Sequence, residues 1–133
     1  MADEPLRIGF ILTPDYSLMS LTAAVEPLRA ANQLAGRALY RPSYHSVAGD
    51  FAASTSGGGF ATETLPDPAA LDLALVVAGG NPLRYEDAAL ARGLRALQNR
   101  KVRLGGISGG AAILARLGLM EGRRFTPVSY THL

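Results

Sequence analysis

Apolar residues come in short blocks, and the spacing inside each block sets what it can form. Residues 6–13 read LRIGFILT, a continuous apolar run closed by Pro14-Asp15, as expected of a strand covered on both faces. The period then changes. Leu18, Leu21, Val25 and Leu28 recur at helical spacing behind Ser17, a residue type that caps helix N-termini, and Gly36 supplies the stop. Pro27 falls inside this pattern and removes one backbone donor, which predicts a kink. Residues 40–48 form a second strand. Residues 51–65 place Gly57-Gly58-Gly59 between β-compatible residues and read as a hairpin-like excursion, followed by a Pro66-Asp67-Pro68 loop. Residues 72–78 (DLALVVA) are the clearest buried strand and end in Gly79-Gly80-Asn81-Pro82. An amphipathic helix over 86–99 carries Leu90, Leu94 and Leu97 on one face. A last strand over 102–107 turns at Ser108-Gly109-Gly110 into a helix over 111–117, capped by Gly118.

Strands alternating with helices imply parallel pairing and right-handed crossovers. The expected fold class is therefore α/β, an open parallel sheet flanked by helices. Ligands of such sheets bind beyond the carboxyl ends of the strands. Here those ends are Thr13-Pro14-Asp15, Gly79-Gly80-Asn81 and Ser108-Gly109-Gly110, where many of the glycines and polar residues also fall.

Composition narrows the function classes. With 133 residues, 48% of them apolar and 18% charged, the chain can bury one core, and disorder is not expected. The net charge is only +2, and every basic residue but Lys101 is an arginine scattered along the chain. That reads as a solvated face, not a nucleic-acid surface, and neither a helix-turn-helix nor a zinc-finger spacing appears. The absence of cysteine excludes disulfides, thiolate zinc sites and a cysteine nucleophile in this chain. No metal site or cofactor is expected. The acidic start lacks the regions of a signal peptide, and no apolar run approaches membrane-spanning length, so a cytoplasmic protein without membrane contact is the expectation.

One motif could carry chemistry. Gly106-Ile107-Ser108-Gly109-Gly110 matches G-x-S-x-G, the nucleophile elbow. A strand that turns abruptly into a helix puts its middle residue at a strained backbone angle, and flanking glycines let the two elements approach closely. Gly79-Gly80 could add backbone N–H donors as an oxyanion hole. A serine nucleophile still needs a base. His45 lies on an early strand, where a structural role is favoured, and His132 is the penultimate residue; Glu121 is the only acid between Ser108 and His132. A Ser–acid–His order can be written from these residues, but each is poorly placed. The other reading is that Ser108 fits an elbow and hydrogen-bonds a ligand or a neighbouring backbone group. A phosphate-loop reading of Gly109-Gly110 finds neither G-x-x-x-x-G-K-[ST] nor G-x-G-x-x-G.

At this point a resemblance enters. Residues 8–32 (IGFILTPDYSLMSLTAAVEPLRAAN) are similar to the start of the type 1 glutamine amidotransferase-like domain, in the version fused to AraC-type DNA-binding regions of bacterial regulators. Residues 71–80 (LDLALVVAGG), the helix after them, and residues 102–122 (VRLGGISGGAAILARLGLMEG) agree with it. The resemblance implies a flavodoxin-like sheet that is incomplete at the C-terminus, with residues 1–126 a partial sensor domain. Residues 127–133 (PVSYTHL) look like a non-native tail, which would make His132 no part of the domain. The wider superfamily, including PfpI-like proteases and isonitrile hydratases, resembles this chain at the elbow but uses a cysteine there and often an acid from the first helix. Here the elbow residue is Ser108, the position matching the acid is Ser20, and Glu26 stands about a helical turn or more further on.

What the resemblance implies is a catalytically inactive sensing and dimerisation domain of an AraC-type regulator. A small effector, such as a nitrogenous metabolite, would bind around Asp15, Glu26, Gly79, Gly80, Asn81, Ser108 and Gly109. DNA would be contacted only through a region this fragment lacks, and the full-length protein would be a homodimer. The alternatives are a hydrolase or amidase with Ser108 as nucleophile, and a stand-alone superfamily member of another role.

Overall fold

The computed structural model describes residues 4–82 and 84–120. The elements in chain order are β1 (Leu6–Leu12), α1 (Leu18–Ala35), β2 (Tyr40–His45), β3 (Phe51–Ala53), β4 (Gly59–Ala61), a 3-10 turn over Pro68–Ala70, β5 (Leu73–Ala78), α2 (Ala88–Asn99), β6 (Arg103–Ser108) and α3 (Gly110–Arg116). Four strands form one all-parallel sheet in the order β2-β1-β5-β6, and β3 and β4 pair as a separate antiparallel hairpin. The parallel sheet and the hairpin-like excursion are as the pattern predicts.

Local chemistry explains the boundaries. Ser17 accepts a hydrogen bond from the Ser20 amide at 3.3 Å and starts α1, while Gly36, at φ 70°, ends it. Asp87 caps α2 by accepting from the Leu90 amide at 2.9 Å. Helix α1 runs on through Pro27: the proline loses one ladder bond without ending the helix. Asn32 then organises the turn into β2. Its Oδ1 accepts from the Leu39 and Tyr40 amides at 2.7 and 3.0 Å, and its Nδ2 donates to the Tyr40 carbonyl at 2.9 Å. Strand β2 stops at His45, short of the expected residue 48, and the Ser46 amide instead donates to the Glu63 carbonyl at 2.9 Å.

Alternation along the strands builds a core on each face. Ile11, Ala74, Val76 and Ala78 point to one side and meet Leu90, Leu94 and Leu97 of α2 and Ile113 and Leu114 of α3. Ile8, Phe10, Leu12 and Val77 point to the other side and meet Leu21 and Val25 of α1, with Ala52 and Phe60 of the hairpin packed alongside. The chain leaves β1 toward β2 on one side and β5 toward β6 on the other. The boundary between β1 and β5 is therefore the switch point of the sheet, the place where α/β folds form a crevice.

Candidate functional site

Three loops converge at the carboxyl end of this switch point. In register, Leu12 pairs with Val77 and Ala78 with Ser108, so the segments after β1, β5 and β6 leave the sheet side by side. Thr13 continues β1 by donating both its amide (3.1 Å) and its hydroxyl (3.2 Å) to the Val77 carbonyl. The Gly109 amide donates to the Ala78 carbonyl at 3.1 Å and holds the elbow against β5.

Backbone geometry carries the construction. Asp15, Gly80 and Ser108 adopt φ of 59°, 57° and 57°, the left-handed region. For Asp15 and Ser108 that conformation costs about 1 kcal/mol or more each, and the surrounding packing must enforce it. The turn at Ser108 is thus the strained elbow that the motif predicts. Its outer glycines are required sterically: a Cβ on Gly110 would stand 1.8 Å from the Val76 carbonyl oxygen, and one on Gly106 would stand 2.2 Å from the Ala111 amide nitrogen. A Cβ on Gly79 would meet the Asp15 carbonyl oxygen at 2.9 Å and the Ser17 amide nitrogen at 3.0 Å, so the β1 and β5 loops touch backbone to backbone. A Cβ on Gly109 would meet the Pro82 ring at 2.7 Å.

Asp15, Gly79, Gly80, Ser108 and Gly109 are thereby brought together. Asn81 follows them, exposed, with its carbonyl accepting from the Arg84 amide at 3.1 Å. Glu26 is not drawn in. It is exposed, bonded to Arg29 at 2.9 Å, and its charge adds to burial in raising the phenol of Tyr44, which lies on β2, the opposite edge of the sheet from Ser108. The physical reason is the helical phase: Glu26 follows Val25, which faces the core, and so points outward. Ser20 stays at the start of α1, its hydroxyl 3.0 Å from that of Ser17.

His45 has the structural role expected of it. It is buried, with Nδ1 at 2.9 Å from the Thr64 carbonyl and Nε2 at 2.8 Å from the Ser43 hydroxyl. Since a carbonyl only accepts, Nδ1 carries a proton and donates to Thr64. Three strand spacings separate β2 from β6, about 14 Å, which is too far for His45 to serve Ser108 as a base. Glu121 and His132 lie outside the described residues, as do residues 127–133.

A hollow at these strand ends lies beside the elbow. A cleft of about 480 Å³ opens toward β2, walled by Thr13, Asp15, Ser46, Phe51, Tyr85 and Asp87 among others. Ser108 is not on its wall; Asp15 stands between the two. Sequence reasoning missed this cleft, because its walls come from three separated segments. Buried Tyr16 ties two of them: its hydroxyl donates to the Ala52 carbonyl at 2.9 Å, and its carbonyl accepts from Thr55 at 3.1 Å. Burial raises the phenols of Tyr16 and Tyr85, for Tyr85 with help from Asp87, and keeps both as neutral donors. Arg116 of α3 donates to the Pro82 and Tyr85 carbonyls and fixes the loop that carries Tyr85. Among the described residues, no group of acids and histidines could hold a metal ion, and no helix is long and apolar enough to cross a membrane.

No family model matches the sequence. The HTH-type transcriptional regulator GlxA of Rhizobium meliloti is 42% identical over 122 residues, which cover 90% of this chain and 38% of that regulator. The solved structure of an AraC family transcriptional regulator from Pseudomonas putida aligns with TM-score 0.77 and 32% identity, over 90% of this chain and 64% of that one. A ThiJ/PfpI domain protein from Brachyspira murdochii, 17% identical, shares the fold with TM-score 0.77 over 97% of this chain and 74% of its own. The chain spans a little over a third of the length of the curated regulators it matches.

Proposed function

We infer that this chain, which is similar over 90% of its length to AraC-type transcriptional regulators, is the effector-sensing and dimerisation domain of such a regulator and does not catalyse. DNA is contacted by a separate helix-turn-helix region of the full-length protein, which works in the cytoplasm. The observation that carries this reading is the crevice at the β1–β5 switch point, with a cleft of ligand size beside it. Asp15, Asp50 and Asp87, with Phe51 and Tyr85, line that cleft and suit a small nitrogenous metabolite, whose cation the acids and ring faces would attract. Ser108, Gly79, Gly80, Asn81 and Gly109 are not on its wall; they belong to the adjoining loops that meet it at Asp15, and an effector would reach past the cleft to touch them. Effector binding biases the arrangement of the DNA-binding regions through its different affinity for two states.

The elbow is the one feature that favours hydrolysis, with Ser108 as nucleophile. Against this, a serine stands where the resemblance puts a cysteine in the enzymes, and Ser20 stands where it puts an acid. Calorimetric titration with a panel of amino acids and quaternary amines tests the sensor. A saturable heat that Asp15→Asn or Asp87→Asn weakens supports it. An acyl burst with an activated ester, lost in Ser108→Ala, would transfer the case to the hydrolase.

A further inference from the structure

We propose that the outward side of α2 and the turn into β6 form a DNA-facing surface, on which Arg92, Arg100, Lys101 and Arg103 meet backbone phosphates. The proposal rests on the reading that this chain works inside a DNA-binding regulator, and it adds a second place where that protein touches DNA. Charge is divided sharply along the chain. Residues 4–87 carry nine acids and five bases, whereas residues 88–120 carry six bases and no acid. The cleft, with Asp15, Asp50 and Asp87, belongs to the acidic part. Leu90, Leu94 and Leu97 turn one side of α2 to the core. At about 100° per residue, Arg92, Arg95 and Asn99 stand opposite them, within an arc of about 60°. Arg100 and Lys101 follow the end of α2, and Arg103 opens β6 at the amino end of the sheet, away from the cleft.

Local structure accounts for only part of this charge. Cations at a helix C-terminus complement its dipole, which explains Arg100 and Lys101 but neither Arg92 nor Arg103. Arg95 donates to the Leu117 carbonyl at 3.4 Å, and Arg116 donates to the Pro82 and Tyr85 carbonyls. Among the described residues, Arg92, Arg100, Lys101 and Arg103 have no ion-pair partner. Lys101 holds a left-handed φ of 63°, which glycine adopts more readily, so a charged side chain stands where the turn does not call for one. A hollow of about 190 Å³ between Gln98, Lys101 and Arg103 opens to an anion between two cations. Any part of a longer protein that packs over these cations must bring acids, or leave unpaired charges out of water. Duplex DNA matches them, with one negative charge per about 1.7 Å of its axis.

Fluorescence anisotropy with a labelled duplex of arbitrary sequence tests the surface. The chain should bind at about 50 mM salt, and log Kd should rise with log salt at a slope of about 3 to 4, as four phosphate contacts require. The Arg92→Gln, Lys101→Gln, Arg103→Gln variant should bind at least tenfold more weakly and lower that slope by about 3, with an unchanged circular dichroism spectrum. Arg29→Gln, Arg37→Gln, Arg41→Gln removes the same charge elsewhere and should leave the slope in place. In the full-length regulator the first variant should likewise flatten the salt dependence of operator binding. Absence of binding at low salt overturns the proposal, and so does equal weakening by the two variants, which would mean net charge without a defined surface. Tighter binding of an oligoglutamate than of a duplex with the same charge overturns it in favour of an acidic protein segment. A full-length protein whose salt dependence ignores the first variant also overturns it, because another part of the protein then covers the surface. A full-length protein that binds no DNA overturns the regulator reading itself.

Discussion

At the amino end of the sheet, Arg7 and Asp72 join β1 to β5 with side chains. The Asp72 carboxylate accepts from the Arg7 amide at 2.9 Å, from Nε at 3.2 Å and from the guanidinium terminus at 3.1 Å. At the carboxyl end the same strands are joined by backbone contact, with Gly79 against Asp15 and Ser17, and with three residues at left-handed φ. The first joint is solvated, charged and sensitive to pH. The second is steric and insensitive to pH, and it leaves its surroundings hollow. An α/β sheet can thus be tied at one end by charge while its other end is shaped for a ligand.

The contrast is broken most severely at the steric end. Gly110→Ala forces a Cβ onto the Val76 carbonyl, and Gly106→Ala forces one onto the Ala111 amide. Each should destabilise by about 3 kcal/mol or more, seen as a large drop in the urea midpoint or as failure to fold. Gly109→Val meets the Pro82 ring, a side chain and not the backbone. It should cost about 1–2 kcal/mol of stability and impair effector binding more than the stability loss explains, measured by pairing urea melts with calorimetry. Ser108→Ala keeps the strained turn and removes only the hydroxyl. It should still fold, while effector affinity falls by about 1 kcal/mol; unaltered affinity would make the elbow architecture alone.

The smallest effect is expected at the charged end. Hydrogen bonds from the Arg7 side chain, and then from its amide, hold the Asp72 carboxyl below the usual carboxylate range. A depressed acid contributes stability above its unfolded pKa, near 4, and loses it as the pH falls through the lower folded value. Asp72→Asn should therefore lower the unfolding midpoint slightly at neutral pH, and the gap from the original should close below about pH 4. Exposure of both partners keeps the effect small. A gap that persists at low pH would mean that Asp72 acts through its backbone turn instead of its charge.

Much of this was legible along the chain. The change of period between residues 6–13 and 18–28 marked a strand and a helix, and Ser17 and Gly36 marked the ends of the helix correctly. The glycine spacing at 106–110 announced the elbow, and its steric demands are those the motif implies. Asp15 offered a weaker sign. A Pro-Asp turn tolerates left-handed φ, but only packing against Gly79 imposes it. Glu26 was misleading because its motif says nothing of which side of the helix it takes.

The sequence by itself determined the element order, the parallel α/β class, the two-faced burial of the strands and the elbow at Ser108. These follow from period, capping and steric rules that act over a few neighbouring residues. Tertiary structure alone decided that β1 lies between β2 and β5, that His45 is three strands from Ser108, and that Thr13, Ser46, Phe51 and Tyr85 enclose one cleft. Those relations join residues tens of positions apart, and no local period encodes them. They arise when the two cores close on the sheet and the hairpin is drawn in by Tyr16.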